Sequence, residues 1–109
     1  MFRRINKINS LIKQQMSQIL FRELNLKPGV FLTVSKVDTT KDLRYTRVFV
    51  SVFPESETDY ASKTLEKELY PLQKELSKRI KIKTLPRVEF KIDTTEAKAD
   101  EIEKILQEL

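Results

Sequence analysis

Asp38 and Asp42 stand four residues apart in a polar stretch between two β-rich runs, and Asp93 ends a third. Carboxylates so spaced can hold a metal ion or exchange protons. The 109 residues contain no histidine and no cysteine. That removes the usual base near neutral pH, the commonest metal ligand, the thiol nucleophile and any disulfide. Ser10, Ser17 and Ser35 have no histidine to activate them, so a serine triad is excluded. Gly29 is the one glycine, too few for a phosphate-cradling loop. Aspartates in such places ordinarily cap turns and helix starts, so a metal-dependent enzyme ranks behind the binding readings.

The basic residues carry more information. Net charge is +5, but it is unevenly spread: residues 1–30 hold +5, residues 31–60 hold −1, residues 61–93 hold +4 and residues 94–109 hold −3. A basic surface suits a polyanion, nucleic acid first and anionic membrane second. Three basic groups are candidates to meet phosphates: Arg3, Arg4 and Lys7; Lys74, Lys78, Arg79 and Lys81; and Lys83 and Arg87. Each such contact would add salt dependence. Taken singly, any of these lysines reads as a solvated charge paired with Glu66, Glu68 or Glu75; taken together they favour binding. A helix beginning at Pro71 would add its dipole to an anion site.

The elements that must position these groups follow from periodicity. Residues 3–24 read as a helix, with Ile5, Ile8, Ile12, Met16, Ile19 and Leu20 three or four apart. Pro28 and Gly29 stop it. Strands are expected at 30–37 and 44–53, antiparallel across a polar turn, with a bulge near Ser35–Lys36 where Val37 breaks the alternation. In the second strand Thr46, Val48, Val50 and Val52 share the face toward the helices. Tyr45, Arg47, Phe49 and Ser51 share an open face, where Tyr45 and Phe49 are available to stack on bases.

Polar residues Ser56 to Asp59 start a helix over 59–70, which kinks at Tyr70–Pro71 and resumes to about Lys81. A third strand at 87–93 and a last helix from Thr94–Thr95 complete the chain, with Ala99, Ile102, Ile105, Leu106 and Leu109 as that helix's apolar stripe. The fold class is α+β, one domain over 1–109, a three-stranded sheet with helices on one face. No apolar run reaches the ~18 residues of a membrane span. The amphipathic basic segment 1–22 also fits an interfacial helix or a transit peptide, although its isoleucine stripe is what a core helix needs.

The chain resembles the ribosome-binding factor A family, small-subunit assembly proteins of bacteria and organelles. The resemblance lies in Arg3-Arg4 before Ile5, the helix to Ile19-Leu20, Glu23-Leu24 and Pro28, then Val34 and Val37. It continues through Asp42-Leu43-Arg44 and Arg47-Val48-Phe49-Val50-Ser51-Val52 to Leu76, Ile82, Leu85-Pro86-Arg87-Val88-Glu89-Phe90 and Asp93. No one piece is diagnostic; their order and spacing together, over nearly the whole chain, are quite specific.

The resemblance implies a type II K-homology fold without the Gly-x-x-Gly loop. It also implies a non-enzymatic, cytoplasmic protein with no cofactor and no membrane contact, monomeric off the ribosome. Its partners would be the small ribosomal subunit and its ribosomal RNA, in the immature particle. Where members of the family place an Ala-x-Gly kink, this chain has Glu68-Leu69-Tyr70-Pro71-Leu72, and an arginine common after the kink is here Gln73. Two other readings remain: a general K-homology RNA binder, and a protein- or membrane-surface module using the basic first helix.

Overall fold

The computed structural model describes residues 2–82 and 84–93, with side chains from residue 4 onward. The Arg3 side chain, Lys83 and the expected C-terminal helix from Thr94 lie outside the described residues. Helix α1 spans Phe2–Glu23, strands β1 and β2 span Phe31–Thr39 and Tyr45–Phe53, helices α2 and α3 span Thr58–Lys67 and Leu69–Arg79, and strand β3 spans Arg87–Ile92.

The isoleucine stripe of α1 does what its spacing demands. Ile12, Met16 and Ile19 are fully buried, and Leu20 and Leu24 join them in the core. Burying three such side chains stabilises the fold by about 1.5–3 kcal/mol each. That is comparable to the whole stability of a small domain, about 5–15 kcal/mol, so this helix is part of the core. The helix ends at Glu23, and the chain then reaches a turn in which the Val30 N–H donates to the Lys27 carbonyl at 3.2 Å. Pro28 and Gly29 occupy the two central positions, and Gly29 has the positive φ of 86° that the second position of a type II turn requires. Lys27 anchors this turn to α2. Its Nζ lies 2.7 Å from Glu57 and 4.7 Å from the Tyr60 ring centre, and its N–H donates to the Tyr60 hydroxyl at 3.0 Å.

Strand β2 is central. It pairs antiparallel with β1 and parallel with β3. The register slips between Val34 and Lys36. The extra residue there is Ser35, the bulge that Val37's broken parity predicted. It lets Val34 and Val37 both face the core. Thr46, Val48 and Val50 of β2 and Val88 of β3 are buried on that same side, under the helices. The buried Thr46 hydroxyl lies 3.0 Å from Thr39, whose own hydroxyl donates to Asn9 of α1. That polar thread satisfies both threonines and ties helix to sheet.

Two expectations are corrected in detail. Helix α2 is entered through a 3-10 turn at Glu55–Glu57, with no side-chain cap on its first N–H groups. The kink lies at Glu68 (φ −96°, ψ 8°), not at Tyr70–Pro71. Proline lacks an N–H and its ring crowds the carbonyl four residues earlier, here Lys67. The break therefore falls where that crowding acts, a turn upstream. Tyr70 and Pro71 sit in the first turn of α3, where proline is tolerated. No described helix is long and apolar enough to cross a membrane.

Candidate functional site

The β1–β2 turn is a small hydrogen-bonded device. The Thr40 hydroxyl donates to Asp42 Oδ1 at 2.6 Å, the Arg44 N–H donates to the same oxygen at 3.1 Å, and the Tyr45 N–H donates to the Thr40 hydroxyl at 3.1 Å. These bonds hold Leu43 at φ 60°, a left-handed conformation that a leucine adopts only when its surroundings insist. The Thr40 hydroxyl, then the Arg44 N–H, keep the Asp42 carboxyl below its ordinary pKa. Its carboxylate also lies 3.9 Å from the Arg44 guanidinium. Asp42 is thus occupied in shaping the turn. Asp93 accepts from the Ser35 hydroxyl at 2.6 Å across the sheet. Among the described residues no three His, Cys, Asp or Glu side chains gather as a metal set.

Beside this turn lies an open groove of about 760 Å³. Arg4 and Lys7 of α1, Arg44 of the turn and Arg87 of β3 stand around it, over an apolar floor that includes Ile8, Leu43 and Leu85. Parallel pairing builds the far wall. Tyr45 lies opposite Arg87, and the Arg87 N–H donates to the Arg44 carbonyl at 2.8 Å. Four cations and one carboxylate, itself beside Arg44, leave a net positive rim fit for anions.

The predicted basic residues therefore divide. Arg4, Lys7 and Arg87 come together at the groove. Lys74 and Lys78 line a separate hollow of about 340 Å³ together with Glu23, Glu68 and Glu75, so the carboxylates there outnumber the cations. Arg79 is half-buried and engaged: Nε lies 3.3 Å from Glu75, and an Nη donates to Gln18 of α1 at 3.3 Å. It joins α3 to α1. Lys81 is exposed and borders neither hollow. Arg3's side chain and Lys83 lie outside the described residues. Tyr70 is exposed on the kink's far side of Glu68, and Pro71 lines the mixed-charge hollow.

Arg44 was missing from the sequence-derived candidates. Its signal was its place after Asp42-Leu43, but only the parallel β2–β3 register reveals that it meets Arg87. Gln73 also finds its role here. The Val88 N–H donates to Gln73 Oε1 at 2.7 Å, and Gln73 Nε2 donates to the Pro86 carbonyl at 3.2 Å. One side chain thus grips the backbone on both sides of Arg87 and closes part of the free edge of β3.

Comparison with known proteins identifies the family. The family model for ribosome-binding factor A matches residues 4–106. Ribosome-binding factor A of Natranaerobius thermophilus is 36% identical over 107 residues, covering 97% of this chain and 82% of that one. The Brevibacillus brevis protein is also 36% identical, covering 97% of this chain and 88% of that one. The crystal structure of ribosome-binding factor A from Thermus thermophilus superposes with a TM-score of 0.69 at 26% identity, covering 81% of this chain and 93% of that one. A homology model of the Thermus thermophilus factor, fitted into a cryo-electron microscopy map of a 30S complex, superposes with a TM-score of 0.67 at 28% identity, covering 78% of this chain and 90% of that one. The fold is the K-homology-like α+β fold of these factors, and by sequence and structure together this chain belongs to the ribosome-binding factor A family.

Proposed function

We propose that this chain is a non-catalytic maturation factor that binds the small ribosomal subunit through its ribosomal RNA while the particle is immature. It would act as one cytoplasmic domain over residues 1–109, monomeric when free. Family membership supports a ribosome-binding factor, and the 30S complex of the Thermus thermophilus relative supports the small subunit as the partner.

The observation that carries the RNA contact is the groove rim of Arg4, Lys7, Arg44 and Arg87. Three different elements deliver these cations to one concave surface, and the Asp42 turn and Gln73 fix two of the walls. Phosphates fit such a rim, and the absence of a Gly-x-x-Gly loop favours recognition of backbone and shape over base reading. Lys74, Lys78 and Lys81 would make at most secondary contacts, because Glu23, Glu68 and Glu75 offset the two that line a hollow.

The salt dependence of binding to purified small subunits tests this. Four phosphate contacts give a slope of about −3 in log K against log[salt], and hence a loss of roughly 100-fold between 50 and 200 mM salt. Binding that hardly changes over that range would rule out a phosphate-dominated contact.

A further inference from the structure

The second face of the sheet carries no helix among the described residues, and its side chains form ordered rows. Phe31 stands opposite Phe53, Lys36 and Lys91 flank Phe49, Asp38 and Glu89 flank Arg47, and Tyr45 stands opposite Arg87. Phe31 and Phe53 are 63% and 68% exposed, and Tyr45 is 42% exposed. Lys36 Nζ lies 5.3 Å from the Phe49 ring centre. Arg47 is offset by its two carboxylate neighbours, and Asp93 lies against Ser35. What remains is a row of rings along β2, with cations from β1 and β3 beside it. It runs from the Phe31–Phe53 pair, past the lysine-flanked Phe49, to Tyr45 and Arg87 at the groove.

We propose that this open face is a stacking platform for unpaired nucleotides of RNA that continue out of the basic groove. The proposal rests on the RNA-binding reading above and adds a second surface to it. Phe31 and Phe53 offer ring area to bases, and every base has a face to stack. Lys36 and Lys91 stand where the intervening phosphates would pass. From Tyr45 to Phe53 the strand runs about 26 Å, with room for the roughly two or three bases that aromatic sheet platforms stack. A protein partner fits less well, because lysines are depleted from the centres of protein interfaces, whereas here they flank the middle ring. Tyr45 and Arg87 belong to both surfaces, so one strand of RNA can engage both.

The test uses the full chain, a fluorescein-labelled twelve-nucleotide oligoadenylate and purified small subunits. The Phe31→Ala/Phe53→Ala variant should bind the oligonucleotide at least about tenfold more weakly, with unchanged circular dichroism. Lys36→Gln/Lys91→Gln, which touches no core residue, should weaken it too and guards against misfolding of the first variant. Ultraviolet crosslinking of 4-thiouridine-containing RNA should label the peptides holding Phe31 or Phe53. Equal oligonucleotide binding by both variants and wild type overturns the proposal. So does loss of subunit binding with oligonucleotide binding intact, which would mean a protein docks on the face. Wild type that binds subunits but not the oligonucleotide overturns the platform and leaves the groove reading standing; binding to neither overturns both.

Discussion

Gln73 is the cheapest place to disturb the groove without touching a cation. Replacing it by leucine keeps its size but removes both hydrogen bonds, to Pro86 and from Val88. Val88 is buried, so its N–H is left without a partner and with little access to water. A typical hydrogen bond contributes about 1 kcal/mol net, and an unpaired buried donor costs about 1–3 kcal/mol. Pro86 can recover part of its bond from solvent, so the expected loss is about 2–3 kcal/mol. With a urea slope of about 1.5 kcal/mol per molar, the unfolding midpoint should fall by roughly 1.5–2 M, read by far-ultraviolet circular dichroism.

Gln73→Glu refines the test. The carboxylate can still accept from Val88, but its other oxygen faces the Pro86 carbonyl and repels it unless protonated. The folded-state pKa is then raised above the unfolded value of about 4.3. A group with a raised folded pKa contributes its stability in full below the unfolded value and loses it as pH rises through the folded value. Relative to wild type, the glutamate variant should be least stable at pH 7 and should recover as pH falls toward 4. A leucine variant within about 0.5 kcal/mol of wild type, the range of ordinary surface changes, would refute the clamp. A glutamate variant whose deficit is independent of pH would refute the Pro86 contact.

Two further outcomes follow from local geometry. Pro71→Ala restores an N–H facing the Lys67 carbonyl and removes the ring crowding it, so α2 and α3 should join through Glu68; amide exchange showing Glu68 still outside a continuous helix would mean the break has another cause. Asp42 has a lowered folded pKa, so its hold on the turn is present above the ordinary carboxylate value and lost as pH falls through the lower folded one. The Leu43 and Arg44 amide resonances should stay constant from pH 7 to about 4 and shift only below; a transition above that value would contradict the bonds from Thr40 and Arg44.

Much of the fold was readable because it rests on local pattern. The α1 stripe, the alternation in β2 and the parity break at Val37 each follow from side-chain period, and each has its structural counterpart. The position of β3 was not readable. Nothing within Arg87–Ile92 says that it lies parallel beside β2, and it is that long-range pairing which brings Arg44 to Arg87. The kink was read one turn too late because proline acts on the carbonyl four residues before it. Gln73 looked like a lost cation; its task became visible only with the backbone of Pro86 and Val88 in front of it. Lys74 and Lys78 were selected by charge alone, and the three carboxylates around them come from α1 and α3 as well as the kink, beyond what spacing within one helix can tell.

The groove as the route to the small subunit is tested most directly by sucrose-gradient sedimentation of Arg44→Glu/Arg87→Glu beside Lys74→Glu/Lys78→Glu. Arg79 is left intact because it holds α3 to α1. At low salt the wild type should travel with small ribosomal subunits, and the kink-face variant should follow it with modest loss. The groove variant should stay at the top of the gradient with unchanged circular dichroism. If the groove variant sediments with the subunit as the wild type does, or if the kink-face variant alone is lost, the groove is not the interface.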